Sequence, residues 1–424
     1  MNDHLLSQRS TLRAALVWGL AAFFYFYELM LLVSPSVMLD DLTHTFKTSA
    51  EQLGSLAAFY YYAYATMQIP VGLLMDRYGP RILLTIACLL CALGSIIFAQ
   101  APTLVMAQVG RFVMGIGGSF AVVGCLKLAS LWFPVNRFAL LTGLMVAVGM
   151  MGGVFGQAPV AKLVMHFGWR HTMMLGAGCG VALSVVIWFI VSDHPFKSGM
   201  GLHAKEELPP FFKGLTQVMK MPQVWVASLY AGLMFVPTTG FGQLWGVPYF
   251  MQRFDIEKDI AGTVVSMIFF GWAVGGPLYG WLSDRIGRRK SPMIFAAIST
   301  LIVMSAIIFT QGSATQMKIL MFLLGAFSSG FILAFSIVRE INTPILTGTA
   351  IGFINTLNNA SGALAQPVIG KLLDDKWDGT LLPDGNPQYT LAMYNDALLF
   401  LPVCILGAMI LMPFIRETFC RGKS

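Results

Sequence analysis

Twelve apolar runs partition the sequence, lying near residues 14–38, 52–74, 82–100, 104–126, 138–161, 172–192, 223–250, 260–282, 292–311, 318–338, 350–370 and 396–414. A membrane helix needs about 20 apolar residues to cross the hydrocarbon core, and each run is long enough to be one. In lipid every backbone N–H and C=O must be satisfied within the protein, so only helices or a closed barrel can span. Barrel strands read as alternating segments of about ten residues; these runs are longer and unbroken. The pattern predicts an all-α membrane protein with twelve transmembrane helices. Composition agrees, since 56% of the 424 residues are hydrophobic and only 11% charged, where a soluble domain carries about a quarter charged. A cytosolic enzyme, a nucleic-acid-binding protein and a disordered chain are thereby excluded. The first run, Ala14 to Met38, is followed by no small-residue cleavage site and reads as a retained helix.

Lysine and arginine set the orientation. With the N-terminus inside, 18 of them fall in inner loops and 8 in outer loops, Arg111 being left within a span. Both termini are therefore expected in the cytoplasm, and the net charge of +7 is explained without nucleic acid. The sequon Asn359-Ala-Ser361 lies inside a span and the loops are short, which favours a bacterial inner membrane. Cys88 and Cys91 have metal-like spacing but no second pair, so packing is the expected role, with no metal and no cofactor. No Gly-x-Ser-x-Gly, His-Glu-x-x-His or Walker-A pattern occurs. The chain is not expected to be an enzyme or an ATP-driven pump.

An internal repeat sets the architecture. Gly72, Asp76, Arg77, Gly79 and Arg81 follow span two, and Gly280, Asp284, Arg285, Gly287 and Arg289 follow span eight at an offset of 208. A second match, at an offset of 209, pairs Gly143, Gly153, Gln157 and Lys162 with Gly352, Gly362, Gln366 and Lys371. Between the copies lies the polar stretch Asp193 to Pro222, holding Gly199, Gly201 and Pro209-Pro210. The expected division is an N-terminal six-helix bundle (1–192), a cytoplasmic linker (193–222) and a C-terminal six-helix bundle (223–424). In each motif the first glycine permits close helix approach and the second suits a tight turn. The aspartates suit helix capping or pairing with arginine, as in a cytoplasmic latch between the halves.

The motif G-x-L-x-D-R-x-G-x-R and its second copy resemble the signature of the major facilitator superfamily. Gln108, Arg111, Gly115, Gly117 and Gly118 in span four resemble a second pattern of that family. The resemblance implies two pseudo-symmetric six-helix bundles around a central cavity, working by alternating access. The first motif departs from the family pattern at Pro80, where a basic residue is usual, and span five lacks the Gly-Pro pair of many exporters.

Charge at membrane depth is costly and marks function. Glu28 in span one and Arg111 in span four lie at compatible depths in helices that line the cavity in that family, so a pair facing the pathway and coupled to protons is expected. Lys127, near the inner end of span four, is a second cationic candidate for the cavity or for the inner interface. Tyr60, Tyr61, Tyr62, Tyr64 and Gln68 enrich span two; span seven is interrupted at Pro237-Thr238-Thr239-Gly240, ahead of Gln243 and Trp245; span eleven carries Asn355, Asn358 and Asn359 on one face. Tyr61, Tyr64, Gln68, Gln243 and the three asparagines are the expected polar lining, because amides need partners inside a bilayer. Tyr-Phe-Tyr-Glu-Leu ahead of Ser34-Pro35-Ser36, with the tyrosine-rich span two, is similar to bacterial intraphagosomal importers of amino acids and nucleosides. The expected function is a monomeric secondary active transporter of a small polar metabolite, an amino acid by proton symport. Organic-anion or metal-chelate (siderophore) transport and drug export are alternatives within the class, and a non-transporting membrane receptor is one outside it.

Overall fold

A computed structural model describes residues 2–133, 137–193, 211–382 and 385–420. The first half runs α1 (Asn2–Val33), α2 (Leu39–Phe46), α3 (Ala50–Tyr78), α4 (Pro80–Gln100), α5 (Leu104–Gly118), α6 (Phe120–Trp132), α7 (Phe138–Phe155) and α8 (Ala158–Ile190). After the short α9 (Phe211–Met219), the second half runs α10 (Pro222–Val236), a π-helical stretch Pro237–Trp245, α11 (Gly246–Phe254), α12 (Lys258–Ile286), α13 (Lys290–Phe309) and α14 (Ala314–Ser328). It ends with α15 (Ile332–Ile341), α16 (Pro344–Lys376), α17 (Leu391–Leu398) and α18 (Phe400–Leu411). Among the described residues the one extended pairing is the isolated bridge between Leu381 and Pro387.

These helices make the twelve crossings. Nine described segments are long and apolar enough to span by length and composition alone. One of them, Leu140–Ile190, holds two crossings because Gly168 (φ 75°, ψ 160°) turns the chain inside α8, a backbone conformation that glycine adopts without a Cβ penalty. The other two crossings are α3 and α16, which are less apolar because they carry the tyrosines, Gln68 and the asparagines. Their polarity is explained by where they sit: they face each other across the junction of the halves. A Cβ at Gly54 would overlap the Gln366 carbonyl, and one at Gly370 the Ala50 carbonyl, so the two backbones touch. Close approach through small residues is the ordinary way helices pack where lipid offers no hydrophobic drive. Within the second half, Gly271 and Gly325 let α12 and α14 meet in the same way, against the carbonyls of Phe322 and Ile268.

Glycines also report how the halves lean. On the face opposite the linker, Gly54, Gly370 and Gly262 are each pressed against backbone of the other half. Asp374 of α16 accepts the amides of Ala50 (3.0 Å) and Glu51 (2.8 Å) at the start of α3, and Lys258 pairs with Asp41 at 2.8 Å. On the linker face, a Cβ at Gly72, Gly143, Gly280, Gly348 or Gly352 would meet nothing within 4 Å. The described contacts that close the halves on each other therefore lie on the far face. Span seven corrects the expectation of an interruption: Pro237, which has no N–H to donate, starts a fully buried π-helical stretch that keeps the helix continuous. Residues 194–210 of the expected linker lie outside the described residues.

Candidate functional site

Between the halves lies a cavity of about 340 Å³, near the lower end of the roughly 300–1,000 Å³ usual for small-molecule sites. Glu28 of α1 is on its wall, 2% exposed. Local sequence explains how a carboxylate is held there. A Cβ at Gly118 would collide with the Tyr60 hydroxyl and come within 2.8 Å of the Glu28 Cγ, and one at Gly115 would strike the Tyr60 carbonyl. The small residues of span four thus make room for α3 and for the acid. The Tyr60 hydroxyl donates to Glu28 Oε1, while Oε2 has no hydrogen-bond partner.

Arg111, 1% exposed, is brought near but makes no ion pair with Glu28 among the described residues. Its terminal nitrogens donate to the carbonyls of Leu31 (2.9 Å) and Leu32 (3.0 Å), and its guanidinium lies 4.8 Å from the Tyr60 ring centre. The direct pair expected from the sequence is replaced by an acid–tyrosine–guanidinium chain. The cause is the end of α1: the helix gives way to a 3-10 turn at Ser34–Val37, and the last carbonyls of a helix lack intrahelical partners, so the guanidinium takes them.

Tyr61, Tyr64, Gln243, Asn355, Asn358 and Asn359 also line the cavity. The Tyr61 hydroxyl donates to Gln243 Oε1 across the halves. Gln68 is buried just beyond the lining and accepts Asn355 Nδ2 at 2.8 Å, while Asn359 Nδ2 donates back to the Asn355 carbonyl at 2.9 Å. Asn358 is buried with its Oδ1 unpartnered. Lys127 is half-buried and is not among the lining side chains. Sequence reasoning missed the aromatic wall from the second half, Phe235, Phe269, Trp272 and Phe331, because single aromatics in apolar helices carry no positional signal. The repeat did signal the two glutamines: Gln157 donates to the Gly242 carbonyl (3.2 Å) and Gln366 to the Thr239 carbonyl (2.9 Å), so both halves grip the π-helical stretch. Such stretches occur often at functional sites.

The two copies of the loop motif have diverged. In the second, Arg289 bridges Asp284 (2.7 Å) and Glu340 (2.6 Å). Burial works against its charge, but the hydrogen bonds to Glu340 and Asp284 hold the guanidinium above its usual range. In the first, Arg81 instead donates to the Trp188 carbonyl at 2.9 Å and lies 4.5 Å from the Trp188 ring centre. Arg77 and Arg285 are exposed and lie beside Tyr78 and Trp281. Asp76 is on α3, and its side chain falls outside the described residues. Gly79 (φ 78°) and Gly287 (φ 67°) make the turns, while Gly72 and Gly280 face open space. Of the expected latch between halves, Asp284 pairs with Arg289 of its own half, and the Asp76 side lies outside the described side chains.

The family model for the Major Facilitator Superfamily matches residues 17–247 and again residues 238–418. The chain belongs to that superfamily. Within it, the membrane sensor protein UhpC of Escherichia coli K12 is 23% identical over 416 residues, covering 91% of this chain and 90% of that protein. The probable sulfoacetate transporter SauU of Cupriavidus necator is 24% identical over 85% of this chain and 87% of its own length. The lysosomal dipeptide transporter MFSD1 of Danio rerio is 25% identical over 80% and 76%. A bacterial homologue of the human lysosomal transporter Spinster, solved inward-facing and occupied, superposes with a TM-score of 0.72 at 14% identity over 94% of this chain and 95% of that one. The superfamily's twofold architecture, its membrane location and its transporter function are those of this chain, which is not an enzyme.

Proposed function

We propose that this transporter moves amino-acid-like metabolites by proton symport, with Glu28 as the group that carries the proton. The observation that carries the reading is a buried carboxylate with one unpartnered oxygen on the wall of a cavity between the two halves. Residues 1–192 and 223–424 are the two rocking bodies, joined by 193–222, with the linker face in the cytoplasm of a bacterial inner membrane. With the far face open, Glu28 takes a proton and substrate enters. Rocking then exposes both to the linker face, where proton and substrate leave. Arg111 and Tyr60 steady the carboxylate after the proton has gone. Carriage of both partners through one cavity is alternating access, and neither partner needs a covalent step.

The test is uptake into proteoliposomes with and without an imposed pH gradient. Glu28→Gln is expected to abolish pH-driven accumulation and to leave exchange between substrate pools intact. Accumulation by that variant would overturn the role of Glu28. The similarity to the sensor UhpC favours one rival, a receptor that binds without carrying, and absence of any flux or exchange by wild-type protein would decide for it.

A further inference from the structure

The chemistry of the cavity wall narrows the substrate further than an amino-acid-like class. Among the described lining residues Glu28 is the single charged one. Whether or not it holds its proton, the groups a substrate can touch sum to zero or to minus one, never to a positive charge. Arg111 is not among the groups a substrate touches, since its terminal nitrogens donate to the Leu31 and Leu32 carbonyls and its guanidinium lies against the Tyr60 ring. Lys127 does not reach the wall. An organic anion entering this site would lose its water without gaining a cation, and burying an unpaired charge is among the most costly events in a protein.

The remaining wall has two characters. The side-chain amides of Asn355, Asn358, Asn359 and Gln243 and the Thr238 hydroxyl supply neutral polar groups along the wall. Beside them, with Trp272 Nε1 donating to the Thr238 hydroxyl at 3.0 Å, Trp272 and Phe331 lie with ring centres 5.0 Å apart, and Phe235 lies 5.4 Å from Trp272. Next to Glu28, the lining tyrosines Tyr25, Tyr60 and Tyr64 present ring surface beside a carboxylate, a combination that suits an ammonium group.

We propose that the cavity selects net-neutral zwitterions with an apolar or aromatic side chain, the ammonium beside Glu28 and the tyrosines, the carboxylate accepting from the Asn358 side-chain N–H, and the side chain against Trp272 and Phe331. Organic anions of the sulfoacetate kind are rejected. The proposal rests on the transport reading only for its biological meaning; the selectivity is a property of binding.

The experiment uses the purified full-length protein in detergent, with tryptophan fluorescence reporting occupancy beside Trp272. Four matched probes are titrated: phenylalanine, 3-phenylpropionate (no amine), phenethylamine (no carboxylate) and glycine (no side chain). Phenylalanine is expected to bind at least tenfold more tightly than 3-phenylpropionate and than glycine. In Asn358→Ser, phenylalanine should weaken about tenfold while phenethylamine is unchanged, and that unchanged affinity certifies the fold. Binding of 3-phenylpropionate within threefold of phenylalanine, or binding of none of the four probes, overturns the proposal. Flux separates the two readings. If phenylalanine binds in this order yet never crosses proteoliposomes, the transport reading falls and the selectivity stands. If glucuronate crosses and phenylalanine does not, the selectivity falls and transport stands.

Discussion

Replacing Asp374 by asparagine should release the closure on the far face. Asp374, at the end of α16, accepts the Ala50 amide at 3.0 Å, the Glu51 amide at 2.8 Å and the Tyr389 hydroxyl at 2.5 Å. The first two are unpaired N–H groups of the first turn of α3, and a carboxylate there also meets the positive end of the helix dipole. The contact joins the two halves, so it exists while the far face is closed and must be absent when that face opens. Asparagine keeps one carbonyl acceptor but loses the second acceptor and the charge. A hydrogen bond to a charged group contributes about 1.5–3 kcal/mol. A loss of about 2 kcal/mol corresponds to roughly thirtyfold in the ratio of far-face-open to linker-face-open protein. Spin labels on exposed His44 and Glu257, which flank that face on opposite halves, would read the ratio from the population of long distances, with Cys179 and Cys420 changed to serine. A shift below about threefold, or one toward the linker-face-open state, would refute the assignment of this carboxylate as a closure between halves.

Three further outcomes follow from the same geometry. Arg289→Ala leaves Glu340, whose side chain is 10% exposed, without its cation and should cost about 3 kcal/mol, whereas Arg81→Ala removes one carbonyl hydrogen bond and a ring contact and should cost about 1 kcal/mol; thermal unfolding in detergent that ranked them equal or reversed would contradict the divergence of the two motif copies. Gly54→Ala drives a methyl group into the Gln366 carbonyl and should bias the same spin-label distances toward the far-face-open state, while Gly72→Ala, with nothing within 4 Å, should leave them as they are. Glu417 caps α13, where burial raises its pKa but four backbone amides outweigh that and hold it below the usual carboxylate value. A depressed folded-state pKa means that the cap stabilises above the ordinary glutamate value of about 4.3 and is lost as pH falls through the folded value, so Glu417→Gln should lower the melting temperature at pH 7 and close the gap to wild type below about pH 4.

The twelve crossings were legible because the bilayer imposes one length and one polarity on every spanning helix, and a bilayer-spanning run is visible in any window of the sequence. The twofold architecture was legible from two motif pairs at nearly one offset. Polar residues on α3 and α16 were legible as lining for the same reason that they stood out: an amide or phenol in lipid must face inward. The partners were not legible. Glu28 and Arg111 read as an ion pair because depth along two helices can be counted, but rotation about each helix and the fate of the carbonyls at the end of α1 cannot. Only packing places Tyr60 between them and sends the guanidinium to Leu31 and Leu32. The same holds for Asp374, which no local pattern singles out and which grips the start of a helix 323 residues away. The sequence by itself determined the number of spans, the duplication and the inventory of polar groups, since these depend on local composition and repetition. The tertiary structure decided which of those groups meet, which face is closed and what charge the cavity shows a substrate, because these depend on helix rotation and close approach between segments that no local pattern records.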